Sequence, residues 1–133
     1  MDRHCSNAKA VAKFLDKHPK VGWVNYAGLK DSIYNHLSKR YCPNGAGAVF
    51  TFGLKGGYDA GINLVRNVNL FSHLANIGDT RSLVIHPAST THSQLSPKER
   101  AAAGAGDDVV RLSIGLEDKS DIIADLKQAL KKV

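Results

Sequence analysis

Cysteine is scarce. Cys5 and Cys42 are the only two in 133 residues, and they form no CxxC pair. That excludes a disulfide-stapled scaffold and is the thiol usage of a reducing, cytoplasmic protein. The six histidines are dispersed. His86 and His92 flank a polar loop, but no carboxylate or cysteine partner stands at metal-ligand spacing, so no metal site is expected. No apolar run approaches the roughly 20 residues that span a bilayer, and no membrane association is expected. The opening stretch MDRHCSNAKAVAKFL carries charge throughout and lacks the apolar centre of a secretory leader. Aromatics make up only 7% of the chain, and none interleaves with a basic run. The formal charge is +6, yet the 18 Lys and Arg are scattered. Their clusters, Lys17–Lys20, Lys39-Arg40 and Lys131-Lys132, fall at expected helix ends, where cations interact favourably with the helix dipole. Nucleic-acid binding is therefore not expected. There are no internal repeats and no low-complexity segments.

What is present is one ordinary domain, 43% hydrophobic and 23% charged, large enough to bury a core without staples. A first helix is expected over about 2–17, with Cys5, Ala8, Val11, Ala12 and Leu15 on one stripe. His18-Pro19 stops it. VGWVNY (21–26) reads as a strand. A second helix is expected over about 32–40, turning Ile33, Leu37, His36 and Arg40 inward. CPNG (42–45) is a turn, and AGAVFTFGL (46–54) a second strand. Lys55-Gly56-Gly57 then reads as a flexible turn into a helix over 58–68, since a phosphate-binding loop needs more glycines and a following Ser or Thr.

LFSHLANIGD (70–79) and SLVIHP (82–87) read as two further strands separated by a short turn. Ser96-Pro97-Lys98-Glu99 is a capping box with Pro at the first helical position. DDVVRLSIGLED (107–118) carries the next strand, 109–114. A last helix over 119–131 buries Ile122, Ile123, Leu126, Ala129 and Leu130 behind an Asp118 cap. The expected fold class is α+β: a two-layer sandwich with a four- or five-stranded, mostly antiparallel sheet and helices on one face.

That last strand raises a question of chemistry. Side chains alternate between faces. Val110, Leu112, Ile114 and Leu116 make one face uniformly apolar. Val109, Arg111, Ser113 and Gly115 make the other, where one long cation stands beside two very small residues. Two readings are open: a solvated charge on an open face, or an anchor for a flat anion. The polar loop HPASTTH and the stretch ANIGD, with Asn76 and Gly78, both fall at strand ends. An Arg fork, an amide and a hydroxyl converging there would suit a carboxylate.

The stretches LFSHLANIGDTRSLVIHPASTTHSQLS and VRLSIGLEDKSDIIADLKQAL closely resemble the C-terminal domain of the fold-type I pyridoxal-phosphate enzymes of cysteine and methionine metabolism. The resemblance runs from RHCSNA to ADLKQAL. The form ANIGD…HPASTTHSQL is similar to the O-acetylhomoserine sulfhydrylases rather than the cystathionine enzymes. The latter usually read Ser-Leu-Gly-Gly where this chain has Asn76-Ile77-Gly78-Asp79.

The resemblance implies that Arg111 anchors the substrate α-carboxylate. It implies that Asn76 stands where the family's assisting Ser stands, acting through its amide or through the backbone. Thr91 lies in the loop that helps shape the same pocket. The resemblance also implies what is absent. The Schiff-base lysine, the ring-stacking aromatic, the Asp facing the ring nitrogen and the phosphate loop belong to a preceding large domain. Residues 1–133 are thus expected to be a single C-terminal, substrate-side domain. It would contact a small amino-acid substrate in the full enzyme and hold no pyridoxal phosphate alone. The isolated chain is expected to be inactive in γ-replacement of acetate by sulfide. The Arg111 face, uncovered in an isolated domain, is expected to favour self-association. The alternative reading is a stand-alone binding or assembly module that reuses this domain.

Overall fold

The computed structural model describes every residue, Met1–Val133. Helix α1 spans Asp2–Asp16, strand β1 Val21–Asn25, α2 Asn35–Tyr41, β2 Val49–Leu54 and α3 Gly57–Asn67. There follow β3 Ser72–His73, β4 Leu83–Ile85, a single 3-10 turn Pro87–Ser89, α4 Pro97–Ala102, β5 Val109–Ser113 and α5 Lys119–Leu130. The strands form one sheet in the order β1-β2-β5-β4-β3. Three of its pairings are antiparallel and β3–β4 is parallel. The expected α+β sandwich is the observed one, as a mixed five-stranded sheet.

Alternation along the strands sets the core. Phe50, Phe52 and Leu54 of β2, Val84 of β4, Val110 and Leu112 of β5, and Ile114 just past its end share one face. They pack with Ala8, Val11, Ala12 and Leu15 of α1, Leu64 and Val65 of α3, and Ile122, Leu126, Ala129 and Leu130 of α5. Cys5 is half-buried rather than a full member of the α1 stripe, which takes in Asn7 instead. Ile123 is half-buried, and Leu116, past the end of the strand, is exposed. Local signals fix the helix starts. The Ser96 hydroxyl accepts from Glu99 N–H while Ser96 N–H donates back to the Glu99 carboxylate, and Asp118 accepts from Ser120 N–H at 2.8 Å. At the start of α3, Gly57 takes φ +64°, so Lys55-Gly56-Gly57 is a strand-to-helix turn.

Two expectations are corrected. Helix α2 buries no residue at all: Ile33 just before it is 75% exposed, and Leu37 and Tyr41 are exposed as well. A cleft of about 730 Å³ separates α2 from α1 and is lined by Lys9, Lys13, Lys30 and Lys39. Periodicity gave α2 an apolar side but not the surface to cover it.

The second correction concerns residues 70–79 and 82–87, expected as two strands across a short turn. Only Ser72–His73 and Leu83–Ile85 are strand, and they run parallel. Parallel neighbours need a crossover rather than a hairpin. Residues 74–82 make that crossover, and they reach the side chain of Ser113, which lies on the Arg111 face of β5. That face is therefore not open throughout. Leu83, Ile85, Val109 and Ser113 on it are buried, whereas Trp23 and Asn25 at the β1 end are exposed.

Candidate functional site

Arg111 stands in the middle of β5, paired with Thr51 on β2 and with Ile85 on β4. Its side chain is half-buried. The chain contains two ion pairs, Arg81–Asp79 and Arg100–Asp107, and Arg111 is in neither. Its one hydrogen bond within the protein is long: Nη2 donates to the backbone carbonyl of Asn76 at 3.5 Å. A guanidinium has five donors in a planar fork, so most of this one remains available to an incoming acceptor.

The sheet supplies the rigid side of the site and the crossover supplies the adaptable side. Gly78 turns the crossover with φ +78°, a left-handed conformation that side chains resist. Its N–H donates to Ser113 Oγ at 3.2 Å. Thr80 and Ser82 then run against the end of β5. Leu116 N–H donates to the Thr80 carbonyl at 2.7 Å, and Gly115 N–H donates to Ser82 Oγ at 2.9 Å. Glu117 accepts from Ser82 N–H at 2.6 Å and from its hydroxyl at 2.8 Å. Gly115 is required here, because a Cβ would fall 2.4 Å from the Thr80 carbonyl oxygen. Helix α1 braces the same strand end: His4 Nδ1–H donates to Ile114 O, and Asn7 Nδ2 donates to the carbonyls of Gly115 and Glu117.

The geometry brings Asn76 to Arg111, through its backbone. The Asn76 amide oxygen is occupied elsewhere, accepting from Ile77 N–H at 2.8 Å. Thr91 is exposed. Its hydroxyl joins His92 Nδ1 at 2.8 Å, and no hydrogen bond links it to Arg111 or Asn76. Gly78 was expected at this end of the sheet, and its N–H is spent on Ser113; Ser113, Ser82 and Glu117 were not foreseen as part of the site. The one usable signal was Ser113, two residues from Arg111 and hence on its face.

Nearby, His86 is fully buried. Its Nε2–H donates to Asp107 O at 3.0 Å and its Nδ1 pairs with Ser89 Oγ at 2.9 Å, so the ring ties the end of β4 to the lead-in of β5. Electrostatics sharpen the crossover too. The backbone and guanidinium donors of Arg81 hold the Asp79 carboxyl below its ordinary range, so it stays charged and turned toward its own loop.

The groups gathered around Arg111 are a guanidinium, a backbone carbonyl, amides and a hydroxyl. They fit a carboxylate. No lysine amine, the partner that an imine with pyridoxal phosphate requires, joins this hydrogen-bonded group.

Comparison with known proteins adds a second, independent line. The description "Cys/Met metabolism PLP-dependent enzyme" belongs to a family model that matches residues 1–131. The chain is 52% identical over 97% of its length to O-acetyl-L-homoserine sulfhydrylase 1 of Thermus thermophilus. It is 50% identical over 98% to the homocysteine synthase of Schizosaccharomyces pombe, and 49% identical over its full length to an L-methionine gamma-lyase of Fusobacterium nucleatum. It spans only 31%, 30% and 33% of those proteins. A crystal structure of a Campylobacter jejuni protein described as an O-acetylhomoserine (thiol)-lyase, with N′-pyridoxyl-lysine-5′-monophosphate, superposes with a TM-score of 0.89. That match has 46% identity and covers 97% of this chain and 31% of that one.

Proposed function

Because the chain belongs to the Cys/Met metabolism PLP-dependent enzymes, we propose that it is the C-terminal, substrate-side domain of an O-acetylhomoserine sulfhydrylase. The observation that carries this reading is Arg111: a strand guanidinium without a carboxylate partner in its own chain, facing the crossover that bears Asn76. Such a group is costly to leave half-buried unless an anion arrives. An α-carboxylate meets the fork at two points, and each charge-assisted bond is worth roughly 1.5–3 kcal/mol.

In the full-length enzyme the reaction is γ-replacement: the Cγ–O bond breaks, acetate leaves, and sulfide forms the Cγ–S bond of homocysteine. Pyridoxal phosphate, held by the remainder of the protein, supplies the electron sink for that chemistry. The part played by this chain is binding and orientation. Arg111 fixes the carboxylate end of the amino acid. The Asn76 carbonyl keeps one Nη2 proton engaged and turns the fork. Leu74 and Ile77, both exposed on the crossover, offer apolar surface beside it. Thr91 is assigned to the rim of the pocket. Alone, the chain is inactive. No helix is long and apolar enough to cross a membrane; the cytoplasmic location we propose rests on the thiol usage, two free cysteines outside any CxxC pair.

The test uses the full-length protein that carries this chain. It is supplied with O-acetylhomoserine and sulfide, and homocysteine is measured. In parallel it is supplied with methionine, and thiol release is measured. Homocysteine formation dominating supports the sulfhydrylase. Thiol release from methionine without homocysteine formation reassigns the domain to a γ-lyase, and neither activity refutes the reading.

A further inference from the structure

The crossover that meets Arg111 is held in an uneven way. Within residues 74–79 only two hydrogen bonds leave the crossover, and both end on β5: Gly78 N–H to Ser113 Oγ, and the Asn76 carbonyl from Arg111. The other bonds there stay within the crossover: Asn76 N–H to Leu74 O, Ile77 N–H to Asn76 Oδ1, and the Asp79 carboxylate accepting from Thr80 and Arg81. Residues 74–78 are all exposed, so no packing holds them down. The second half of the crossover is anchored separately, through Thr80 to Leu116 and through Ser82 to Gly115 and Glu117.

Ser113 is placed to control the first half alone. It is buried at 3% exposure, sits two residues from Arg111 on the same face, and pairs with Leu83 at the start of β4. Without its hydroxyl, the only remaining tie between residues 74–79 and the sheet is the 3.5 Å bond from Arg111 itself. A weak bond of that length cannot hold an exposed loop.

We propose that Ser113 is a positioning residue for the carboxylate anchor. By accepting the Gly78 N–H it keeps the Asn76 carbonyl against Arg111, and so holds the fork pointed at the substrate carboxylate. This rests on the assignment of Arg111 as that anchor. The role is local. Losing the hydroxyl leaves the Thr80 and Ser82 anchors and the whole apolar face in place.

The experiment compares wild type, Ser113→Ala and Ser113→Thr in the full-length protein, with O-acetylhomoserine as substrate and with homoserine and its carboxamide as inhibitors. Ser113→Ala is expected to raise KM and the homoserine Ki about three- to tenfold, or about 0.7–1.4 kcal/mol at 1.4 kcal/mol per decade. It should leave kcat and the carboxamide Ki within twofold, and Ser113→Thr should restore the wild-type values. Equal shifts for acid and carboxamide, or no shift in either, overturn the proposal. A second arm needs no activity. In the 133-residue chain, hydrogen exchange at the Gly78 amide should be slowed in wild type and speed up in Ser113→Ala, while exchange in the β5 core stays unchanged. A Gly78 amide that is unprotected in wild type, or unaffected by the change, also overturns it. If wild type turns over no amino acid, the functional assignment fails and the exchange arm still judges the clamp.

Discussion

Replacing Arg111 by lysine keeps the charge and removes the fork. The ammonium is a compact point charge and cannot make the planar two-point contact. In the full-length enzyme the change costs one charge-assisted hydrogen bond to the substrate carboxylate and the Nη2 bond to Asn76 O. The second, at 3.5 Å, adds little binding energy of its own and acts by setting the direction of the fork. The first is worth roughly 1.5–3 kcal/mol. Arg111 is half-buried, so solvent screens part of it and the lower half of that range is the better guide. At about 1.4 kcal/mol per factor of ten, kcat/KM for O-acetylhomoserine should fall about 10- to 40-fold, with most of the loss in substrate binding. Folding should hardly notice, because Arg111 is in no ion pair and neighbours the small Ser113. The melting temperature of the 133-residue chain should stay within about 2 °C, the effect of a few tenths of a kcal/mol in a domain this size. Steady-state kinetics and a thermal melt decide the matter together. A large drop in melting temperature with kcat/KM preserved within a few-fold would refute the reasoning. Arg111 would then be an ordinary structural strand residue.

Three further outcomes are expected. Asp125, buried on α5, accepts from the N–H groups of Asn69 and Leu70 and from Gln128; Asp125→Ala should lower the urea-unfolding free energy by about 1–3 kcal/mol, since those amides lose their partner. Burial, with Cys5 a smaller contributor, pushes the Tyr26 phenol up to about 12, against about 10 when unfolded. The stability of its neutral form is complete below pH 10 and is lost as pH rises through 12. Wild type should therefore destabilise across that window while Tyr26→Phe, about 1 kcal/mol weaker at pH 8 without the bond to Gly47 O, stays flatter. Titrating the 133-residue chain with pyridoxal phosphate should give no saturable imine absorbance; a one-to-one band with sub-millimolar affinity would place a cofactor site within it.

The parts of the fold that were legible in the sequence are those coded locally. The Ser96–Glu99 capping box and the Asp118 cap need only neighbouring residues, and both form as written. The apolar alternation of β5 and the stripe of α1 are periodic signals, and they locate the core. What failed depends on a partner distant in sequence. The apolar residues of α2 were visible, but nothing nearby in the chain said that α1 would stand off across a cleft. Asp125 carries no local signal of burial. Its burial follows from the amides of residues 69 and 70, more than fifty positions earlier.

The direction of β3 is the failure with the most consequence, because the site depends on it. A hairpin between residues 70–79 and 82–87 would have kept ANIGD at the sheet edge, away from β5. Parallel pairing forces residues 74–82 back across the sheet, and that path delivers a carbonyl to Arg111 and an amide to Ser113. It also leaves the anchor indifferent to which side chain stands at position 76. The contact with Arg111 is made by the backbone, which any residue possesses. The side chain at 76 only stabilises the turn by accepting the Ile77 N–H, a local bond that serine can also make, though more weakly. Side-chain identity at 76 is thereby uncoupled from the anchor. The constraint moves to Gly78, whose left-handed backbone turns the loop, and to Ser113, which receives it.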